Sequence, residues 1–172
     1  MIFRGAEAVV EKIKWHDFTA VSKVRNKRSY RHPELERKLV VERLRSESRV
    51  IEYLLSKGVL VPSLYEVNAE KSQIIMEFID GMTLEEGLRT SKFRDHLVST
   101  AILVSQIHSS GIVHGDPTTS NFMISGELYA IDFGLSSFDD DAESRASDLR
   151  VFLESLEAHH SEIKGREIFL DA

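Results

Sequence analysis

The chain has 172 residues, of which 42% are hydrophobic and 29% charged, a composition typical of a soluble globular protein with one sizeable core or two small lobes. It contains no cysteine, which excludes disulfides and thiolate metal sites and favours a reducing compartment. No stretch approaches the roughly 18 consecutive apolar residues of a membrane span, so we expect a cytoplasmic protein without a membrane partner.

The net charge of −6 is distributed unevenly along the chain. Residues 23–49 contain ten Lys and Arg against four Glu, whereas residues 126–172 contain twelve Asp and Glu against four Lys and Arg. A basic run of this kind is explained either by a solvated helix face or by contact with the phosphates of a nucleotide or a nucleic acid. Charge alone leaves both explanations open.

The first long helix is predicted to begin near Pro33, because proline suits the first helical turn, and to end before Gly58. Its apolar residues recur at helical spacing, at Leu35, Leu39, Leu44, Ile51 and Leu54. Residues 59–80 are predicted to form short strands, interrupted by Pro62 and by a turn at 68–71. The apolar run at 74–76 predicts a buried strand among them.

A second helix is predicted from about Phe93 to Ser110, with Gly111 as its stop. Two short strands are predicted next, at 122–124 and 128–131. The acidic remainder is predicted to be mainly helical, with the clearest pattern at residues 146–158.

This order of elements predicts an α+β fold of two lobes. The N-terminal lobe, residues 1–80, would contain a β-sheet and one long helix. The C-terminal lobe, residues 81–172, would be small and mostly helical. The two would join near Asp80-Gly81.

Glu47 lies three residues after Leu44 and four before Ile51, so helical spacing puts its carboxylate on the apolar stripe. A buried, unpaired carboxylate is costly, and this position therefore requires a cation. Lys23, in the strand-like run at 18–24, is the candidate partner. The alternative is an exposed glutamate on a slightly rotated helix.

Two aspartates each follow an apolar run. Asp116 comes after Ile112-Val113, and Asp132 comes after Tyr129-Ala130-Ile131. Carboxylates at the ends of buried segments can point into a cleft and hold a hard cation through oxygen. Asn121 supplies a neutral oxygen five residues after Asp116.

With these residues in this order, the chain resembles the protein-kinase fold. His114-Gly115-Asp116, Asn121 and Asp132-Phe133-Gly134 look like its catalytic and metal-binding loops, with His-Gly-Asp in place of His-Arg-Asp. The segments "YRHPELERKL", "RSESR", "HGDPTTSNF" and "IDFGLS" closely resemble the PRPK-type small atypical serine/threonine kinases of the KEOPS complex, whose fold is RIO-like. The similarity runs from Gly5 to about Leu153.

The resemblance implies a role for each of these residues in phosphoryl transfer from ATP. Lys23 would hold the α and β phosphates, with Glu47 as its partner. Asp116 would orient the attacking hydroxyl or water and accept its proton. Asn121 and Asp132 would be the ligands of Mg²⁺, with Mn²⁺ as a substitute.

The resemblance also implies a nucleotide pocket. Backbone groups of the hinge at 76–79 would bind adenine, and backbone N–H groups of the lid at 5–7 would contact phosphate. The full nucleotide-binding set comprises Gly5, Ala6, Glu7, Ala20, Lys23, Met76, Glu77, Phe78 and Ile79. A lid with a single glycine before Lys23 argues against an ordinary protein kinase.

Two further residues resemble supports of the catalytic loop. His114 is expected to hold the loop and not to act as an acid or base. Asp148 resembles the aspartate that braces the loop from a following helix, although it is also explained as an acid near a helix N-terminus. Pro117 stands where the family usually has leucine, and it restricts the backbone of Asp116.

The resemblance therefore implies an autophosphorylating, ATP-dependent atypical serine/threonine kinase or ATPase that supports the threonylcarbamoyladenosine modification of tRNA. Its partners would be the threonylcarbamoyl-transferase subunit, the other KEOPS subunits and, through the complex, tRNA. Two alternatives stay open at this point. One is a small-molecule phosphotransferase of the aminoglycoside or choline type, and the other is a non-catalytic scaffold that binds nucleotide and tRNA.

Overall fold

The computed structural model describes residues 2–4, 8–26 and 32–172. Gly5, Ala6 and Glu7, the predicted lid, lie outside the described residues. The strands are β1 (Ile2–Arg4), β2 (Ala8–Trp15), β3 (Phe18–Arg25), β4 (Leu64–Asn68), β5 (Gln73–Glu77), β6 (Met82–Thr83), β7 (Ile112–Val113), β8 (Phe122–Ser125), β9 (Glu127–Ala130) and β10 (Ser137–Phe138). The helices are α1 (Pro33–Ser56), α2 (Leu84–Gly87), α3 (Phe93–Ser109), α4 (Ala142–His159) and α5 (Gly165–Leu170), with a 3₁₀ turn at Thr119–Asn121.

The first five strands form one antiparallel sheet in the order β1-β2-β3-β5-β4. The central strand β3 pairs with β5 so that Ala20 lies opposite Glu77 and Lys23 lies opposite Ile74. Side chains two residues apart on a strand share a face, so Lys23 and Arg25 project from the same side of β3. Both reach Glu47 of α1, which places this helix over that face.

Helix α1 begins at Pro33 and ends at Ser56, as the sequence predicts. Gly58 follows with φ +75°, the left-handed conformation that glycine adopts without strain. Leu44, in the middle of α1, packs with the buried residues Ile74 and Met76 of β5. The end of the helix packs into a second and larger apolar cluster.

The larger cluster lies among α3, α4, α5 and the short strands β7 to β9. Its buried members are Val50, Ile51, Leu54, Val59, Val61, Leu84, Leu88, Leu97, Leu103, Val104, Ile107, Ile112, Phe122, Leu128, Ala130, Phe133, Phe152, Leu153, Leu156 and Phe169. Because α1 contributes to both clusters, the predicted division into 1–80 and 81–172 is crossed by packing and stays a prediction.

The second half contains more strands than the sequence predicts. Strands β6, β8 and β9 form a three-stranded sheet, and β10 pairs with β7. The connection after β5 packs tightly on this sheet, because a Cβ added at Gly81 would lie 2.0 Å from the backbone oxygen of Ile124. The predicted strands at 122–124 and 128–131 are present as β8 and β9, with ends displaced by one residue. Among the helices in the described ranges, none is both long and apolar enough to cross a bilayer.

Candidate functional site

Lys23 lies between two carboxylates. Its Nζ donates to Glu47 Oε1 at 2.6 Å and to Asp132 Oδ1 at 2.6 Å. Lys23 and Glu47 are buried, at 7% and 1% exposure, whereas the side chain of Asp132 is 49% exposed. The predicted contact between Lys23 and Glu47 is therefore present, and the carboxylate after β9 joins it from a more open position.

Lys23 and Asp132 stabilise each other's ionised forms. Burial lowers the pKa of Lys23, but the carboxylates of Glu47 and Asp132 outweigh burial, and the net shift is upward. Burial likewise raises the pKa of Asp132, but Lys23 and the Gly134 N–H outweigh it and hold this pKa below its usual value. Both groups are therefore charged at neutral pH.

Arg25 belongs to the same cluster, and the sequence analysis missed it. Its Nη2 donates to Glu47 Oε2 at 2.5 Å, and its side chain is 5% exposed. The available signal was its two-residue spacing from Lys23 on a predicted strand, because that spacing puts both side chains on one face.

The backbone turns sharply at Asp132, where φ is +60°. Aspartate is one of the few residues that tolerates this left-handed conformation. Phe133 is buried next to it and packs on the His114 ring, with centroids 4.8 Å apart. A Cβ at Gly134 would lie 3.0 Å from both Arg25 Nη2 and Asp132 Oδ1, so the turn lies directly against the charged cluster.

Asn121 connects Asp116 to the region of Asp132. Its Nδ2 donates to Asp116 O at 2.8 Å and to Asp116 Oδ2 at 3.1 Å, while its backbone oxygen accepts the Ile131 N–H at 2.9 Å. Burial raises the pKa of Asp116, and the hydrogen bond from the Asn121 amide offsets part of that rise. With Nδ2 engaged, the amide oxygen Oδ1 is the Asn121 atom suited to a cation.

His114 supports the loop, as the resemblance implies. Its Nε2 donates to the backbone oxygen of Ile131 at 3.1 Å, so Nδ1 accepts the weak 3.4 Å bond from the Asp116 N–H. Burial lowers the pKa of His114, and the neutral ring therefore acts as a fixed spacer. Next to it, Pro117 still allows the Thr118 N–H to reach Asp116 O at 2.8 Å, closing a tight turn.

Asp148 of α4 braces the loop that contains His114, Gly115 and Asp116. Its Oδ2 accepts the His114 N–H at 2.7 Å and His108 Nε2 at 3.0 Å, and its Oδ1 accepts the Gly115 N–H at 2.9 Å. The residue is 2% exposed, so the alternative of an acid that only serves the helix N-terminus is wrong. His108 of α3 is a hydrogen-bond partner in this brace.

The backbone conformation explains why a glycine lies between His114 and Asp116 in this loop. Gly115 has φ +85°, and a Cβ there would lie 2.3 Å from the backbone oxygen of Leu135. An arginine in this backbone position would clash with the segment that follows Gly134.

The predicted hinge at 76–79 begins with Met76 and Glu77, the last two residues of β5. Ala20 is fully buried and lies opposite Glu77, so the small residue and the hinge are neighbours in the sheet. Glu77 forms two hydrogen bonds with Ser63. The Glu77 N–H donates to the Ser63 backbone oxygen at 2.8 Å, and the Ser63 N–H donates to the Glu77 carboxylate at 3.0 Å. Met76 and Ile79 are buried, and the Lys12 ammonium lies 3.9 Å from the centroid of Phe78.

The oxygen donors of Asp132 and Asn121 fit an Mg²⁺ ion that is bound together with a nucleotide. In the described ranges, no group of three or more His, Cys, Asp or Glu side chains is arranged to hold a metal ion. Mg²⁺ in phosphoryl-transfer sites is usually bound by one or two carboxylates together with phosphates and water. Asp132 and the Oδ1 of Asn121 are the groups that would supply that partial shell.

A solvent-open hollow of about 430 Å³ lies elsewhere, between α3 and α5. Its lining includes Arg94, Val98 and Glu167 and no residue of the predicted site. It therefore has no part in the chemistry of the Lys23 cluster.

Comparison with known proteins identifies the family. Residues 37–164 match the ABC1 atypical kinase-like domain. The KEOPS complex subunit Bud32 of Pyrococcus abyssi is 35% identical over 170 residues, a match that covers 93% of this chain and 77% of that protein. A probable bifunctional tRNA threonylcarbamoyladenosine biosynthesis protein of Methanospirillum hungatei is 41% identical over 156 residues, but the chain spans only 28% of its length.

A solved structure shows the same fold. The Rio2 kinase of Chaetomium thermophilum, in a complex with ADP/Mg²⁺ and phosphoaspartate, has a TM-score of 0.75 at 15% identity, and the match covers 99% of this chain and 60% of that one. The expected α+β, kinase-like fold is confirmed. The chain belongs to the family of the ABC1 atypical kinase-like domain, together with the Bud32 subunits of the KEOPS complex.

Proposed function

We propose that this chain is an ATP- and Mg²⁺-dependent atypical serine/threonine kinase or ATPase that autophosphorylates and works within a KEOPS-type assembly. One observation carries the proposal. A single ammonium, that of Lys23, contacts carboxylates 24 and 109 residues away along the chain. Such a meeting of sheet, helix and loop is the arrangement that positions a triphosphate in kinase-like folds.

ATP would lie between the sheet and the catalytic loop, that is, between the proposed lobes 1–80 and 81–172. Its adenine would rest beside Ala20 and bond the backbone at 76–79, and the proposed lid at 5–7 would cover its phosphates. Lys23 would contact the α and β phosphates. Mg²⁺, held by Asp132 and Asn121, would neutralise charge on the phosphates.

Asp116 is the proposed base. The attacking oxygen, from water or a serine or threonine hydroxyl, would form a bond to the γ-phosphorus as the bond to the β–γ bridging oxygen breaks. The electron pair leaves with ADP, and the proton of the nucleophile moves to Asp116. Burial raises the pKa of this carboxyl, which strengthens it as a base, and such a group is typically worth about 10²–10⁴-fold in rate.

The wider role follows from the relatives. Their names place them in the KEOPS complex and in tRNA threonylcarbamoyladenosine biosynthesis. We propose that this chain acts in the same modification, with the threonylcarbamoyl-transferase subunit, the other KEOPS subunits and tRNA as partners. The bifunctional relatives support a close association, because in them the matching segment is part of a longer polypeptide.

A single-turnover experiment with γ-labelled ATP tests the proposal. The wild-type chain, Asp132→Ala and the control Asp140→Ala, an exposed acid in the following segment, are assayed with and without the transfer subunit and tRNA. Asp132→Ala is expected to lower turnover by at least about 100-fold, because a metal ligand is lost, and to lower the unfolding temperature modestly, because alanine tolerates the left-handed backbone at this position less well than aspartate. Asp140→Ala should be fully active.

The destination of the label distinguishes the activities. Label on the protein indicates autophosphorylation, and label in free phosphate indicates ATP hydrolysis. Equal turnover by the wild type and Asp132→Ala would refute catalysis at this site and favour a scaffold. Saturable transfer to a small metabolite would instead favour a small-molecule phosphotransferase.

A further inference from the structure

Glu47 uses its two oxygens for two different cations. Oε1 accepts from Lys23 Nζ and Oε2 accepts from Arg25 Nη2. All three residues are buried, with Glu47 at 1% exposure. The carboxylate is therefore fixed from both sides, and each cation has its own oxygen.

The two cations differ in their other contacts. Lys23 also bonds Asp132, which lies in the half-exposed part of the cluster. Arg25 is fixed at its backbone, where its N–H donates to Ser72 O at 2.9 Å, and its guanidinium lies against Gly134. Lys23 is thus shared between two acids, whereas the described hydrogen bonds give the guanidinium one acid, Glu47.

This asymmetry matters when Lys23 turns toward phosphate. With Lys23 as its sole counterion, Glu47 would be left as a poorly compensated buried carboxylate, which is strongly unfavourable. Arginine remains protonated in proteins and holds carboxylates with a rigid fork of donors. A second, permanent cation on Oε2 removes this penalty.

We infer that Arg25 is a positioning residue that acts through Glu47, as its permanent counterion, so that Lys23 can exchange its contact with Asp132 for nucleotide phosphates while it keeps Glu47 as its partner. The inference rests on the proposed function, since it assumes a nucleotide at Lys23. Two other roles for Arg25 predict different results. It could contact phosphate directly, because its Nε is buried and has no partner among the described residues, or it could only hold the fold together.

The test is a double-mutant cycle read by equilibrium binding of Mg²⁺–ATP and of adenosine, which lacks phosphate. The proteins are the wild type, Arg25→Met, Glu47→Gln and the double variant, with Arg25→Lys as the conservative control. Arg25→Met is expected to weaken ATP binding by about tenfold and to leave adenosine binding within about twofold. Arg25→Lys should recover part of the ATP affinity, because it restores the charge.

The Glu47→Gln background identifies the route of the effect. If Arg25 acts through Glu47, adding Arg25→Met to Glu47→Gln causes little further loss of ATP affinity. A full further loss would show direct phosphate contact and overturn the inference. Equal losses for ATP and adenosine, together with a lower unfolding temperature, would show a purely structural role and also overturn it.

Two controls keep the outcomes separate. If Arg25→Met does not fold, Arg25→Gln carries the same test, because it removes the charge but keeps a donor. Wild-type chain that binds no ATP would refute the proposed function and this inference with it. Wild-type chain that binds ATP, with Arg25 variants that bind it equally well, would refute this inference alone.

Discussion

The sheet and the helical part of the molecule are held together by different forces. In the described part of the chain, the helical part is built on a cluster of 20 buried apolar residues. The apolar cluster between α1 and the sheet has three buried members, Leu44, Ile74 and Met76. Next to these three lie the buried charges of Lys23, Arg25 and Glu47.

The difference shows how a small protein can combine a stable base with an adjustable site. Apolar packing is dense and tolerates little movement, which suits the loops that hold Asp116 and Asn121. Buried ion pairs add little net stability relative to apolar packing, but they have strict geometric requirements. The partner exchange proposed for Lys23 is therefore better placed on the sheet side, and α1 links the two because its residues enter both clusters.

The largest loss of stability is expected when one buried leucine of α1 is truncated in each of the two apolar clusters. Leu44 and Leu54 are both almost completely buried, yet they belong to different clusters. Leu→Ala in a core costs about 2–5 kcal/mol, depending on the packing around the site. We expect Leu54→Ala near the upper end and Leu44→Ala near the lower end, measured by urea unfolding of the nucleotide-free chain.

Equal losses for the two leucines would contradict the comparison. Such a result would mean that the smaller cluster packs around Leu44 as tightly as the larger cluster packs around Leu54. The exposed Leu35 at the start of α1 provides the control, because Leu35→Ala should change stability little.

The next largest effect is expected at Asp148, the acid that braces the loop containing His114 and Gly115. Burial raises the pKa of Asp148, but hydrogen bonds from His108 and from the His114 and Gly115 N–H groups outweigh burial and hold it below the ordinary value. A pKa lowered by folding stabilises the protein above the unfolded value, about 3.9, and this contribution is lost as the pH falls through the folded value.

We therefore expect Asp148→Asn to lower stability by about 1–3 kcal/mol at neutral pH. The gap between the variant and the wild type should begin to close as the pH falls below about 4, where the carboxyl of the unfolded chain takes up its proton, and it should be lost once the pH has passed the lower pKa of the folded carboxyl. Urea unfolding at pH 7 and at a series of acidic values measures both quantities. Asp140→Asn, at an exposed position, is the control, and a gap that persists unchanged in acid would contradict this account.

Several parts of this site were predictable because they follow from local rules. Helical periodicity put Glu47 on the apolar stripe of α1, and a buried acid there required a cation. The contact with Lys23 is present. The resemblance of Asp148 to a brace was likewise correct, and its three hydrogen bonds to the loop and α3 show how it acts.

Other parts depend on contacts that a sequence does not display. Arg25 was missed because it lies in a basic run whose charges look alike until α1 covers one face of β3. The two-residue strands β6, β7 and β10 have no periodicity of their own and form only because a partner strand is present. The left-handed backbone at Asp132 occurs beside Phe133, which is buried against His114, and such a tertiary contact cannot be read from the sequence.

The smallest effect is expected at the short helix α2, which follows β6 in the chain. Thr83 and Glu86 form a reciprocal cap: the Thr83 hydroxyl accepts the Glu86 N–H at 3.2 Å, and the Glu86 carboxylate accepts the Thr83 N–H at 2.8 Å. Thr83→Ala removes the hydroxyl acceptor and should cost about 1 kcal/mol. Thr83→Ser keeps that acceptor and should be close to wild type in urea unfolding. Because Leu84 of the same helix is fully buried in the larger cluster, we expect Thr83→Ala to lower stability without changing ATP affinity. A parallel loss of ATP affinity would show that the helical part also adjusts the proposed nucleotide site.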